Sequence, residues 1–255
     1  MMDNTDYIGE DELQEVYEPL CRWTEWWLEY RDEDQDGIPE YHHGNDSGWD
    51  NSTVFIKSPP VESPDLPAFL IIQMEVLAEI AEKINETRDA KKWKDHSRDL
   101  LDKLLAHSLK DGKLQALTSG DHQIINSESL LPYISIVLAN RLPEDIKNKL
   151  IEGIKDFITE YGPATEKVDS DYYDPDGYWR GPIWAPSTML LVDGLLASGE
   201  KELAFAIAEK FTRLCSENGF AENFNALTGK GLRDRAYTWT ASVYLILAHE
   251  YNHQG

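Results

Sequence analysis

An all-α fold is predicted for this 255-residue chain, and three observations predict it. Apolar residues recur at helical spacing over most of the length. The helical stretches come in pairs joined by short turns. No alternating run suggests a ladder of strands. Between Glu10 and Arg31, Leu13, Val16, Tyr17, Leu20, Trp23 and Trp27 fall at helical intervals. Pro19 lies inside that run, so a kink or a break into two pieces is expected. Ser63-Pro64-Asp65 opens an apolar helix from Leu66 to Ile84, and Asn85-Glu86-Thr87 leads into another over 88–107. Two more are expected over 128–140 and 143–160, joined by Arg141-Leu142. A pair over 186–197 and 201–218 turns at Ser198-Gly199, and the last helix runs over 237–251. The result is about eight helices in one domain spanning 1–255. The long connections 31–62, 109–127, 161–185 and 219–236 are polar and rich in Gly, Pro, Trp and Tyr. Helical hairpins with such loops imply a layered α/α array, its loops gathered on one side to build a site.

Composition narrows the function. Lys+Arg number 24 against 47 Asp+Glu, for a formal charge of −23. Such a chain repels nucleic acid and anionic membranes, so neither is an expected partner. Cys21 and Cys215 are too few for a disulfide framework or a cysteine-based zinc site. No apolar run approaches the ~18 residues of a membrane span. The acidic start, MMDNTDYIGEDE, argues against a signal peptide, and a cytoplasmic location is expected. The sequons at Asn45, Asn51 and Asn85 are read as chance, because a glycan on the first two would obstruct the loop they occupy.

That loop, RDEDQDGIPEYHHGNDSGWDNST over 31–53, concentrates acidic residues, histidines and glycines, and cannot form one continuous helix. Trp49-Asp50 sets a carboxylate beside a large apolar face, a setting suited to holding a proton for general-acid work. A second segment, DPDGYWRGPIW over 174–184, places Arg180 between tryptophans. A guanidinium fork suits hydroxyls or a carboxylate, and indoles offer flat faces with a polar handle. A third, FAENFNALTG over 220–229, sets Glu222 and two asparagines among aromatics. Two carboxylates, aromatic faces, amides and an arginine are what a sugar site requires, and two carboxylates suffice to split a glycosidic bond.

The strings DSGWDNS, YWRGPIW and ENFNALTG resemble glycoside hydrolase family 63, in that family's order and across nearly the whole chain. The family includes processing α-glucosidases and hydrolases of mannosylglycerate or glucosylglycerate. Trehalases of family 37 and other (α/α)6-toroid glycosidases are more distant kin. The resemblance implies an (α/α)6 barrel and an inverting mechanism, with Asp50 as general acid and Glu222 as general base. It also implicates Trp179, Arg180 and Trp184 in the glycone subsite. Tyr41, Trp49, Asn51, Tyr178, Asn223, Phe224 and Trp239 are the further expected substrate contacts.

Two departures stand out. Asp46 replaces a glutamate common before SGWD. A full toroid needs twelve helices where about eight are legible, so the chain reads as the C-terminal two thirds of a catalytic domain. An open arc is then expected, with self-association or partner binding through its apolar end helices, the first carrying Trp23, Trp26 and Trp27.

Asp32, Asp34 and Asp36, followed by Gly37, form the front half of a calcium loop. The Ile38 carbonyl and Glu40 would complete the ligand set, but His43 stands where the closing glutamate belongs. A structural Ca2+ and a solvated acidic turn both remain open. A magnesium–diphosphate box is not supported, for want of a second acidic cluster. His42-His43 is read as a loop pair making hydrogen bonds. The leading expectation is an inverting glycosidase acting on an α-glucoside or α-mannoside, an oligosaccharide or small glycoside, with no organic cofactor. The alternative is an inactive carbohydrate-binding α/α remnant, or a fragment completed by a partner chain.

Overall fold

The computed structural model describes residues 8–56 and 59–251. Eight α-helices run through them: α1 (Glu10–Tyr30), α2 (Gly44–Ser47), α3 (Asp65–Lys83), α4 (Thr87–Ser108), α5 (Glu144–Lys155), α6 (Ala185–Ala197), α7 (Lys201–Asn218) and α8 (Thr238–Tyr251). Two 3-10 segments, Thr53–Phe55 and Leu131–Arg141, complete the helical content. Strands are two residues long and pair only in twos: β1 (Val61–Glu62) with β4 (Leu117–Thr118), β2 (Leu109–Lys110) with β3 (Lys113–Leu114), and β5 (Asn223–Phe224) with β6 (Gly231–Leu232).

The helices form two layers. α3, the 3-10 segment 131–141, α6 and α8 pack side by side as an inner row. Their sequences are apolar nearly all round, as helices buried on both sides must be. α1 and α4 back onto α3, α5 onto the 3-10 segment, and α7 onto α6 and α8. These outer helices are amphipathic, with one stripe turned inward. Inner helices pass to outer ones through tight turns near 84–86, 142–143 and 198–200. The long connections 31–64, 109–130, 156–184 and 219–237 each lead from an outer helix into an inner one. All four therefore emerge at the same end of the array, and that end carries the site.

Three elements differ from the sequence expectation. α1 is one helix despite Pro19. The proline sits on the exposed face, so water can satisfy the carbonyl it strands a turn earlier. The stretch expected as an α-helix over 128–140 is instead 3-10, with a break at Ala139 (φ 49°, ψ −122°). Pro132 and the β-branched Ile134, Ile136 and Val137 favour α-geometry poorly. Gly194 of α6 also lies so close that a Cβ there would come 2.9 Å from the Ile136 backbone. α5 stops at Lys155, well before residue 160. The Thr159 hydroxyl accepts from the Tyr161 and Gly162 amides, which turns the chain. The β2–β3 hairpin was not anticipated; Asp111 and Gly112, both at positive φ, make its two-residue turn.

Candidate active site

Asp50 sits just beyond α2, and its backbone is held by close approach. A Cβ on Gly44 would fall 2.1 Å from the Asp50 carbonyl oxygen, so only glycine fits there. Gly48 closes α2 in the left-handed conformation (φ 74°). Asp46, the residue that departs from the family pattern, accepts from the His42 and His43 amides at 2.9 and 3.1 Å. Its carboxylate is thus committed to its own turn. His42 Nε2 lies 2.8 Å from Glu40 Oε1, and His43 Nδ1 accepts from the Asn45 amide, as expected of a hydrogen-bonding pair.

The three motif loops are fastened to one another. Asn51 donates to the Gly177 carbonyl and accepts from the Trp179 amide, both at 2.9 Å. Ile183 and Phe224 exchange two backbone hydrogen bonds of 2.7 and 3.0 Å, tying the second loop to the third. The Glu222 amide donates to the Asp234 carbonyl at 2.7 Å. Beneath Asp50, Thr53 donates to the buried Glu166 at 2.7 Å, and Ser52 bonds Ser129 at 2.8 Å.

These ties bring Asp50 and Glu222 to one tyrosine. Burial pushes the Tyr178 phenol up, and the negative fields of Asp50, Glu222 and Tyr237 push it further, against the opposing charge of Arg233. Arg233 stacks over the Tyr178 ring at 5.0 Å and pairs with Asp176 at 2.9 Å. Tyr178 holds a positive φ of 64°, a conformation a bulky residue keeps only when its surroundings impose it. A hollow of about 350 Å³ opens beside Asp50, with His43, Asn51, Phe55 and Arg180 on its walls. A wider one of about 850 Å³, lined by Asp234, Tyr237, Trp239 and Met189 among others, opens between α6 and α8. Arg180 Nε is buried and makes no hydrogen bond.

Several of the expected substrate contacts are buried side chains. Trp49 stacks on Trp179 at 4.6 Å, and Trp179 on Trp184 at 4.1 Å with planes 4° apart. All three are buried, as is Phe224, so their faces are spent on one another and on the core. Such stacking fixes the loops through large buried area rather than offering open platforms. Tyr41 is also buried, and its hydroxyl donates to Asp65 at 2.8 Å. Asn223 is buried with its Oδ1 accepting from Arg233. Tyr178, Arg180 and Trp239 remain half open. Glu166, Arg233, Asp234 and Tyr237 were not anticipated; the strings LRDRAYTW and ATEK carry no pattern that singles them out.

In the acidic loop, one oxygen each of Asp32, Asp34 and Asp36 lies within 4.8 Å of the others. Ile38 is buried beside them. Glu40 does not join that group: it is buried against His42, with Glu33 nearby. Glu40 Oε2 and Asp32 Oδ1 are both buried without a hydrogen-bond partner. His107, His122 and Glu62, none of them anticipated, gather around Asp36.

The two helical layers have the fold of (α/α)6-toroid glycoside hydrolases. Within that class, residues 2–240 match the family of the mannosylglycerate hydrolase MGH1-like glycoside hydrolase domain, and the chain belongs to that family. It is 40% identical to a mannosylglycerate hydrolase of Rubrobacter radiotolerans over 27% of this chain and 15% of that one. It is 24% identical to a glucosylglycerate hydrolase of Mycolicibacterium hassiacum over 95% of this chain and 69% of that one. The fold matches a GH63 mannosylglycerate hydrolase from Thermus thermophilus with a TM-score of 0.79, at 18% identity, over 93% of this chain and 68% of the other. It also matches a neutral trehalase of Saccharomyces cerevisiae with a TM-score of 0.78, at 13% identity, over 97% of this chain and 58% of the other. The chain thus spans only part of the length of each protein it matches.

Proposed function

We propose that this chain hydrolyses a small α-linked glycoside of the mannosylglycerate or glucosylglycerate type, with inversion at the anomeric carbon. Asp50 protonates the glycosidic oxygen, and Glu222 activates a water on the opposite face of the sugar. The sugar lies between the hollow beside Asp50 and the groove beside Trp239 and Tyr237. Arg180, with a buried donor free, takes a hydroxyl or carboxylate of the substrate. The observation that carries this reading is that the loops bearing the two carboxylates, far apart in sequence, are both fastened to the segment 174–184, one through Asn51 to Gly177 and Trp179 and the other through Phe224 to Ile183. A separation in the inverting range, roughly 6.5–9.5 Å, leaves room for the water.

The test is hydrolysis of α-mannosylglycerate and α-glucosylglycerate, with the first-formed anomer read by proton NMR. The β-anomer is expected first. Asp50→Asn and Glu222→Gln should each lower kcat by about 10²–10⁴-fold with unchanged melting temperature. Release of the α-anomer first would refute inversion. Tight binding of both glycosides without turnover would instead establish the inactive sugar-binding reading.

A further inference from the structure

We propose that Glu166 is a positioning residue that masks the charge of Arg180, so that Arg180 takes a neutral hydroxyl of the substrate rather than its carboxylate. This role presupposes the hydrolase reading above, in which Arg180 takes either group. Glu166 is wholly buried. Its two oxygens accept from the Ser170 and Thr53 hydroxyls, both at 2.7 Å. Hydroxyls satisfy its lone pairs but not its charge, and a buried carboxylate is costly without a cation near it. Lys167, next in the chain, is taken up by Glu128 and Asp156. Arg180 supplies the opposing charge. Burial pushes the Glu166 carboxyl up, and the two hydroxyls and the Arg180 guanidinium hold it down against the field of Glu128.

The backbone places the two segments side by side. Thr165, just before Glu166, clasps Gly181, just after Arg180. Its amide donates to the Gly181 carbonyl at 3.3 Å, and its hydroxyl accepts from the Gly181 amide at 3.0 Å. The same hydroxyl donates to the Pro182 carbonyl at 3.0 Å. Behind them, the Leu130 amide donates to the Thr165 carbonyl and the Lys167 amide to the Glu128 carbonyl, both at 3.0 Å, which holds 165–167 in place. On the other side, Thr53 follows Ser52, which lines the hollow beside Asp50 together with Arg180. The Glu166 carboxylate therefore stands behind the wall to which Arg180 belongs.

The competing account is purely structural, with Glu166 serving only to anchor the turn that carries Asp50 through Thr53. An uncharged amide of the same shape would serve that end equally, since a hydroxyl can donate or accept. The charge itself has a different reach: in a dry interior it acts well beyond hydrogen-bond range. A guanidinium with an anion behind it gains little from a second anion in front, yet still donates to a neutral hydroxyl. Once the charge of Glu166 is removed, the same planar fork becomes a carboxylate site.

The test uses the full chain with Glu166→Gln, which removes the charge and keeps the shape, and Glu166→Asp, which keeps the charge and shortens the reach. Acetate at constant ionic strength, followed by tryptophan fluorescence, probes carboxylate binding whether or not the chain turns over. Glu166→Gln should bind acetate about tenfold more tightly than wild type, and the gain should vanish when Arg180→Gln is added. In hydrolysis, kcat/KM on α-mannosylglycerate relative to the neutral α-mannosylglycerol should rise by a similar factor in Glu166→Gln and stay at the wild-type value in Glu166→Asp. In urea unfolding, Arg180→Gln should be less stable than Arg180→Gln with Glu166→Gln, because the single variant leaves a buried carboxylate alone. That comparison stands even where Glu166→Gln by itself does not fold. Unchanged acetate affinity in folded Glu166→Gln would overturn the proposal. So would Arg180→Gln no less stable than the double variant, or a selectivity altered in Glu166→Asp but not in Glu166→Gln. Absence of turnover on both glycosides, with the acetate and urea results as expected, would refute the hydrolase reading and leave the masking of Arg180 standing.

Discussion

Asn51 is part of the frame of the site as well as of the wall of the hollow beside Asp50. Both ends of its amide are committed to the backbone at Gly177 and Trp179. Asn51→Ala should cost about 1–2 kcal/mol of stability, read by urea unfolding. It should also lower kcat/KM by about 10–100-fold, because loops that slip by an ångström misplace Asp50. Asn51→Ala with wild-type kinetics would show that the tryptophan stack alone fixes the loops. Arg180 behaves differently, since its buried Nε is free of partners. Arg180→Lys keeps the charge but loses the planar fork. KM is expected to rise about tenfold or more with little change in melting temperature, and an unchanged KM would remove Arg180 from the substrate contacts.

At the scale of elements, the first turn of α3 carries a pH-sensitive group. Asp65 is wholly buried, and burial raises its carboxyl from 3.8 to about 6, against the lowering effect of hydrogen bonds from Ser63 and Tyr41. The folded chain therefore favours the protonated acid. Its contribution is complete below the unfolded value near 4 and is lost as pH rises through about 6. The shift corresponds to about 3 kcal/mol. Asp65→Asn removes the titration, so its stability relative to wild type should climb by up to that amount between pH 4 and pH 7. Denaturant unfolding at both pH values measures the difference, and a constant gap would contradict the assignment. In α1, Pro19 occupies the exposed face of an otherwise unbroken helix. Pro19→Ala restores a hydrogen bond and should raise the melting temperature, by an amount corresponding to at most about 3 kcal/mol.

At the scale of the molecule, the described residues supply four inner and four outer helical elements, two thirds of a six-by-six ring. The row runs from α1 to α8, and both ends present apolar side chains. Trp23 is 61% exposed on α1, and Leu245 is 66% exposed on α8. Open apolar edges of this kind favour association. Light scattering of this chain should show mass rising with concentration, and Trp23→Glu with Leu245→Glu should shift it towards monomer. A constant monomer mass over the whole range would show that the edges are tolerated in water.

The outlines of most helices were legible because their apolar periodicity is a local property. Leu66 to Ile84 and 201–218 were readable within a residue or so at each end. The two candidate carboxylates were legible too, since SGWDNS and ENFNALTG carry them as contiguous strings. What the strings could not reveal was which aromatic rings stay open to solvent. Trp49, Trp179 and Trp184 look like platforms in sequence, yet stacking on one another buries them. The same limit applies to Asp36, Glu62, His107 and His122. Glu62, His107 and His122 are unremarked in their own stretches, and they meet Asp36 only where an acidic loop, a short strand, a helix end and a turn converge. The sequence by itself determined the helical class, the family and the two candidate carboxylates, because local periodicity and contiguous motifs encode them. Only the tertiary structure decided which side chains are buried, which stay open and which lie side by side, because burial and convergence depend on residues far apart in the chain.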